Sequence, residues 1–210
     1  MNYLSHQPNK EHYRFSNYVN IERWSSYYYQ IKEAQNLQPS SALVIGIGDG
    51  IVIDVLRKQG ITVYTLDFDK ELQPDFYGSV SEIDTIMGNL KVDLIVCCQV
   101  LEHLPYDFFV SILKAMKKHA RNVIISLPYS NRHILKYSIK VPYIRFLCGD
   151  MRISTFWKSW ESVDSSGHHW EIGYKNYPLK RIKKDIRQVF KIEKIYCPIE
   201  NTYHLFFRLT

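Results

Sequence analysis

The 210-residue chain predicts an open α/β fold: a doubly wound, mostly parallel seven-stranded sheet with an antiparallel last strand and helices on both faces. Three observations predict it. From Ser41 onward, short apolar runs alternate with amphipathic segments, as in strands joined by crossover helices. Gly46, Gly48 and Gly50 follow the first apolar run directly, at the strand end where such sheets bind ligands. The last two apolar runs are joined by a link too short to cross the sheet, so they must pair antiparallel.

Element by element, Ala42–Ile45 is the first strand, and Ile51–Gln59 a helix closed by Gly60. Thr62–Leu66 is the second strand and ends at Asp67; Phe76–Tyr77, before Gly78, is a short third. Val92–Cys98 (VDLIVCC) is a fourth, apolar enough to be buried on both faces. Pro105 opens a helix with Phe108, Ile112, Ala115 and Met116 at helical spacing. Val123–Ser126 is the fifth strand, stopped by Pro128. Tyr129–Trp170 has no clean period and holds Phe156, Trp157 and Trp160; it reads as an aromatic-rich insertion over the C-terminal edge of the sheet. Pro178 starts a helix with Leu179, Ile182, Ile186 and Val189 inward and Lys180, Arg181, Lys183 and Lys184 outward. Phe190–Tyr196 and Tyr203–Leu209 are the final pair. Residues 1–40 read as a helical cap, on the strength of the amphipathic run ERWSSYYYQIKEAQNL, and 41–210 as the sheet domain.

Composition bounds the function. The chain is 46% hydrophobic and 23% charged, as in ordinary globular proteins, and its length suits one core. A formal net charge of +6, without a polybasic tail, permits nucleic-acid contact but does not argue for it. Cys97, Cys98, Cys148 and Cys197 form no CxxC pair and read as reduced thiols, which fits a cytosolic compartment. No apolar run approaches the roughly 18 residues of a membrane span.

The glycines narrow the ligand. Glycine has no Cβ, so a nucleotide-like molecule can touch the backbone there. A dinucleotide site wants G-x-G-x-x-G, but the third position here is Ile51, and no G-K-[ST] follows to make a P-loop. Asp67, about 20 residues past the glycines, is placed to accept hydrogen bonds from two ribose hydroxyls.

The block DLIVCCQVLEHLP (Asp93–Pro105), together with VIGIGDG and TLDFD, resembles class I S-adenosylmethionine-dependent methyltransferases, which have a Rossmann-like sheet. The spacing of these blocks from Ala42 through Pro128 is similar to that family, and HHWEIGYKNYPL is similar to the closing run of bacterial members. The resemblance implies S-adenosylmethionine as cofactor. It implies that Gly46, Ile47, Gly48, Asp49 and Gly50 line the methionine part, that Asp67 holds the ribose and that Phe68 lies beside the adenine. Ser79 and Val80 would meet the adenine edge, and Gln99 and Val100 would flank the sulfonium. Two positions depart from the family: Val44 stands where an acidic residue is common, and Ser79 where Asp is frequent.

An oxygen or ammonium acceptor must lose a proton, and histidine suits that near neutral pH. The candidates are His103, His169 and His168, in that order. No third metal ligand is evident at plausible spacing from the histidine pair, so no metal site is expected. The [DN]-P-P-[FYW] sequence of amino-adenine methylation is absent, as is a Pro-Cys loop. A small molecule, sugar or lipid-linked intermediate is the expected acceptor, and nucleic acid is disfavoured. The alternatives are an RNA methyltransferase, a cofactor-binding scaffold without activity and a nicotinamide-linked oxidoreductase, the last opposed by Ile51.

Overall fold

The computed structural model describes residues 10–141, 144–154, 157–161, 163 and 166–210. Phe156 and Met1–Asn9 of the expected insertion and cap lie outside them. In chain order the elements are α1 (Phe15–Tyr18), α2 (Ile21–Leu37), β1 (Ser41–Ile45), α3 (Ile51–Lys58), β2 (Thr62–Asp67), β3 (Phe76–Tyr77), α4 (Ile83–Met87) and β4 (Val92–Cys98). There follow α5 (Phe109–His119), β5 (Ala120–Pro128), β6 (Asn131–Val141), β7 (Ile144–Ser154), α6 (Leu179–Ile186), β8 (Ile192–Tyr196) and β9 (His204–Leu209).

Seven strands form one sheet in the order β3-β2-β1-β4-β5-β9-β8. β9 runs antiparallel to both β5 and β8, and every other neighbouring pair is parallel. The order reverses at β1, which lies between β2 and β4, with Ala42 opposite Val63 on one side and Leu94 on the other. A sheet covered on both faces needs apolar side chains at odd and even positions alike. Thus Leu43, Ile45, Ile95, Cys97, Val123, Ile125 and Phe207 face one core, with Ile83 and Met87 of α4, Phe109, Ile112 and Met116 of α5 and Ile182 and Ile186 of α6. Ala42, Val44, Leu94, Val96, Ile124 and Phe206 face the other, with Tyr27 and Ala34 of α2 and Ile53 and Leu56 of α3. Each such Leu, Ile or Phe contributes about 1.5–3 kcal/mol by leaving water.

The N-terminal helices belong to the second core. α2 is capped by Asn20, whose side chain accepts from the Arg23 amide at 2.7 Å, and it stops at Gln38 in the left-handed region (φ 47°). Its buried Glu33 accepts from Lys194 Nζ (2.6 Å), Tyr196 Oη (3.0 Å) and Arg208 Nη1 (3.2 Å), which ties α2 to the last two strands.

Two elements differ from the sequence reading. Pro105 caps a single 3-10 turn, Tyr106–Phe108, and α5 begins at Phe109; Phe108 is exposed and Phe109 takes the inward place. Asn131–Val141 and Ile144–Ser154 are not irregular: as β6 and β7 they pair antiparallel in a separate two-stranded sheet. Shifts of register between His133 and Leu135 and between Ile139 and Val141 break the alternation that would have marked them. Cys97, Cys98 and Cys197 are free thiols, Cys97 fully buried. Among the described residues no helix is long and apolar enough to cross a membrane.

Candidate functional site

Because β2, β1 and β4 are parallel neighbours, their C-terminal ends stand side by side. The glycine turn, Asp67 and the Gln99–Val100 pair therefore meet at the switch point of the sheet, where open α/β sheets form their ligand crevice. The turn leaves β1 with Gly46 at φ +84°, its amide donating to Leu66 O at 2.9 Å. A Cβ there would lie 2.7 Å from Val100 Cγ2, so position 46 tolerates no side chain and Val100 packs directly on the main chain. Gly48 (φ +57°) is demanded by its backbone, since a Cβ would meet only Tyr18 at ordinary contact distance.

Asp67 closes this turn from the neighbouring strand. Its Oδ2 accepts from the Ile47 amide at 2.7 Å and its Oδ1 from the Asp69 amide at 2.9 Å. Burial raises its carboxyl above the ordinary range, against the pull of these amides. A carboxylate offers roughly four lone-pair directions, so capacity remains for ligand hydroxyls. Asp49 also has partners: its Oδ1 accepts from the Ile51 amide at the start of α3 (3.2 Å), and its Oδ2 accepts from Tyr27 Oη (2.7 Å).

The N-terminal segment reaches the same turn. Tyr18 lies by Gly48, its hydroxyl accepting from Arg23 Nη1 at 2.7 Å and its ring 3.8 Å beneath the Arg23 guanidinium. Tyr13 stacks edge-on against Tyr18 at 5.0 Å; burial, together with the nearby charges of Tyr18, Asp67 and Asp69, raises its hydroxyl pKa. Tyr13, Tyr18 and Arg23 were not legible as site residues, because nothing in their spacing marks where the segment folds back.

The remaining cofactor candidates divide. Phe68, after Asp67, is half-buried. Ser79 caps the 3-10 turn Val80–Glu82 in a reciprocal capping box with Glu82, and Val80 is buried in the core. Gln99 is a non-glycine residue at φ +56°; its amide donates to Ser126 O at 3.0 Å and its side chain to Ser126 Oγ at 3.2 Å. Strained backbone of this kind clusters at functional sites.

The three histidines converge although 65 residues separate them. Trp170 is fully buried; it lies edge-on to Tyr106 and Phe109 (4.9 and 5.3 Å), and its Nε1 donates to Leu104 O at 3.0 Å. This anchor lays residues 167–170 along the loop after β4. The His169 amide donates to Glu102 O at 2.8 Å, His103 Nδ1 meets Gly167 O at 3.3 Å, and the His103 and His168 rings stand 4.9 Å apart. His168 Nδ1 lies 2.9 Å from Glu171 Oε1, and Tyr203 Oη donates to the same oxygen. His103 is exposed, His169 half-buried and His168 buried. Burial lowers the His169 pKa below the ordinary imidazole value. Glu102, an undistinguished member of the strand-four block, is wholly buried, and burial pushes its carboxyl up to about 7. Trp157, expected in an aromatic wall, is exposed, and the Trp160 ring lies edge-on to Tyr174 at 4.9 Å.

A cleft of about 540 Å³ lined by Asp84, Gly88, Asn89, Lys91, Lys118 and His119 opens at the other end of the sheet, where β4 and β5 begin. Gly88 and Asn89 turn there, at the start of β4, and no strand C-terminus lines it.

A sequence profile of the methyltransferase domain matches residues 16–193. No curated protein gives a significant sequence match. Among solved structures, an S-adenosylmethionine-dependent methyltransferase from Clostridium acetobutylicum superposes with a TM-score of 0.58 at 13% identity, over 95% of each chain. The Burkholderia thailandensis 1,6-didemethyltoxoflavin-N1-methyltransferase, bound to 1,6-didemethyltoxoflavin and S-adenosylhomocysteine, gives 0.58 at 14%, over 90% of this chain and 80% of that one. The methyltransferase domain of a bacterial Hen1 gives 0.59 at 13%, over 91% and 98%. At such identities these likenesses establish the sheet and its connections, in agreement with the topology. With the profile spanning most of the sequence, the chain belongs to the class I S-adenosylmethionine-dependent methyltransferase family.

Proposed function

We propose that this methyltransferase acts on an oxygen or nitrogen of a small molecule, sugar or lipid-linked intermediate. The observation that carries the reading is the closure of the glycine turn by Asp67, whose buried carboxylate binds the Ile47 amide at 2.7 Å. A carboxylate fixed by main-chain donors at that strand end has its remaining lone pairs set for a ribose diol.

S-adenosylmethionine, when bound, supplies a methyl group on a positively charged sulfur. The chain's work is to hold and exclude. Main chain from Gly46 to Gly50 would border the methionine part, Phe68 and the Ser79–Val80 turn the adenine, and Gln99 and Val100 the sulfur. Val44 and Ser79 replace acidic residues common in the family, so fewer charged acceptors meet the cofactor. Residues 10–40 act as a cap, latched through Tyr27 to Asp49 and resting on the turn through Tyr18. Alignment of acceptor and methyl accounts for much of the acceleration. The acceptor's proton is removed at the histidine cluster, through His103 or His169 with His168 behind them.

Calorimetric titration tests the reading: S-adenosylhomocysteine binds and NAD does not. In turnover assays over an acceptor panel, His103→Ala or His169→Ala loses more than about tenfold, roughly 1.4 kcal/mol. If neither does, the histidine assignment is wrong. RNA is the second acceptor class, which the net charge of +6 permits. It requires polynucleotide binding that weakens steeply with salt, and absence of binding at about 0.1 M salt removes it.

A further inference from the structure

The Glu102 carboxylate is fully enclosed, and neither of its oxygens meets a hydrogen-bond donor. An unpaired buried carboxylate is expensive, and a cation held beside it would offset that cost. The neighbourhood indicates which. A Glu102 oxygen, a His103 ring nitrogen and a His168 ring nitrogen all lie within 4.8 Å of one another. Ligand atoms about 2.0–2.2 Å from one ion stand about 3–4.4 Å apart, so a small contraction of this cluster completes a coordination triangle.

The outer contacts fit the same purpose. A metal-binding imidazole is normally fixed by an oxygen on its other nitrogen. His168 Nδ1 is held at 2.9 Å by Glu171, itself fixed by the Tyr203 hydroxyl. His103 Nδ1 is held at 3.3 Å by Gly167 O. Nδ1 of each ring faces an oxygen, and in the tautomer with the proton on Nδ1 the metal-binding nitrogen is Nε2. His103 is exposed and gives an ion a way in, while Glu102 and His168 are buried. Sequence spacing gave no third ligand because Glu102 and His103 reach His168 only through the Trp170 anchor.

We propose that Glu102, His103 and His168 bind one divalent transition-metal ion. One carboxylate and two imidazoles suit zinc, manganese, iron or cobalt better than magnesium or calcium, which prefer all-oxygen sets. Three protein ligands leave coordination positions open. The ion's part in catalysis rests on the methyl-transfer reading above: held by these residues, it would bind the acceptor oxygen and lower its pKa. His103 and His168 then serve as ligands, and His169 is the base.

The test uses the full-length chain, dialysed against a chelator and titrated with Co²⁺, whose visible absorption reports coordination, then with Zn²⁺ in competition. Bound metal is also counted by mass spectrometry after equilibrium dialysis. One equivalent binds, and both Glu102→Gln and His103→Ala weaken it at least tenfold. His103 is exposed, so its variant folds even if loss of the buried Glu102 charge disturbs the core; circular dichroism checks each. Glu171→Gln weakens binding about 10- to 100-fold through His168. No stoichiometric ion, or binding that His103→Ala leaves unchanged, overturns the site. S-adenosylhomocysteine titrated in parallel separates the two claims. If it binds while Co²⁺ does not, the metal site falls and the methyltransferase reading stands. If Co²⁺ binds through these residues while the nucleoside does not, the site stands and its catalytic role falls.

Discussion

Asp67→Asn separates what this carboxylate does for the fold from what it does for the cofactor. The wild-type side chain accepts from two amides at once, Ile47 at 2.7 Å and Asp69 at 2.9 Å, and is buried. Asparagine keeps one acceptor oxygen. Whichever amide it serves, its NH₂ group faces the other donor, leaving a buried N–H unpaired. That loss costs about 1–3 kcal/mol of folding stability, read from urea unfolding of the apoprotein. The second effect is independent of the first. If the remaining lone pairs hold ribose hydroxyls, losing the charge removes about 1.5–3 kcal/mol from binding, about 10- to 150-fold in Kd for S-adenosylhomocysteine. Asp69→Asn is the control. Asp69 caps a neighbouring turn through the Glu71 amide at 2.9 Å, so this variant loses no more than about 1 kcal/mol of stability and leaves the Kd within about twofold. Should Asp67→Asn destabilise the apoprotein yet bind S-adenosylhomocysteine as wild type does, Asp67 is a brace for the glycine turn and the ribose assignment is refuted.

Gly46→Ala places a methyl 2.7 Å from Val100 Cγ2 and fixes an L-residue at φ +84°. It lowers stability by about 2–4 kcal/mol in urea melts, and Val100→Ala in the same chain returns the overpacking part but not the backbone part. Glu33→Gln weakens the contacts of α2 to Lys194, Tyr196 and Arg208 and costs about 1–3 kcal/mol; an unchanged melting curve would show that α2 is held by apolar packing alone. His204 is buried against Ser26, and burial drives its pKa down to about 3. The unfolded chain, with a value near 6.5, binds that proton more readily, so stability is unaffected above about pH 6.5 and falls by about 1.4 kcal/mol per pH unit below it. By pH 5 the loss is about 2 kcal/mol, and His204→Gln removes it; equal acid sensitivity in the two proteins would rule it out.

The sheet was readable because its strands are buried on both faces. Ala42–Ile45, Leu94–Cys98 and Val123–Ile125 are continuous apolar runs, and the glycines after the first mark the switch point. The hairpin was not readable. Leu135, Tyr137, Ile139 and Val141 alternate with Lys136, Ser138 and Lys140, but irregular register cuts that signal at both ends. α5 starts at Phe109 rather than at Pro105, since proline allows either a helix or a 3-10 turn after it and only packing selects Phe109 over Phe108.

The site divides along the same line. Gly46, Asp67 and Gln99 take their places from the strands they follow, so a local pattern suffices to locate them. His168 takes its place from Trp170, which packs edge-on against Tyr106 of the preceding 3-10 turn and Phe109 of α5. Such a contact depends on tertiary packing and leaves no period in the chain. The same dependence explains why Glu102 is a poor candidate in isolation. The returning segment lies against it, its His169 amide binding the Glu102 main-chain carbonyl at 2.8 Å. Residues 167–171 therefore bring to a wholly buried carboxylate the imidazole positioned to share a cation with it.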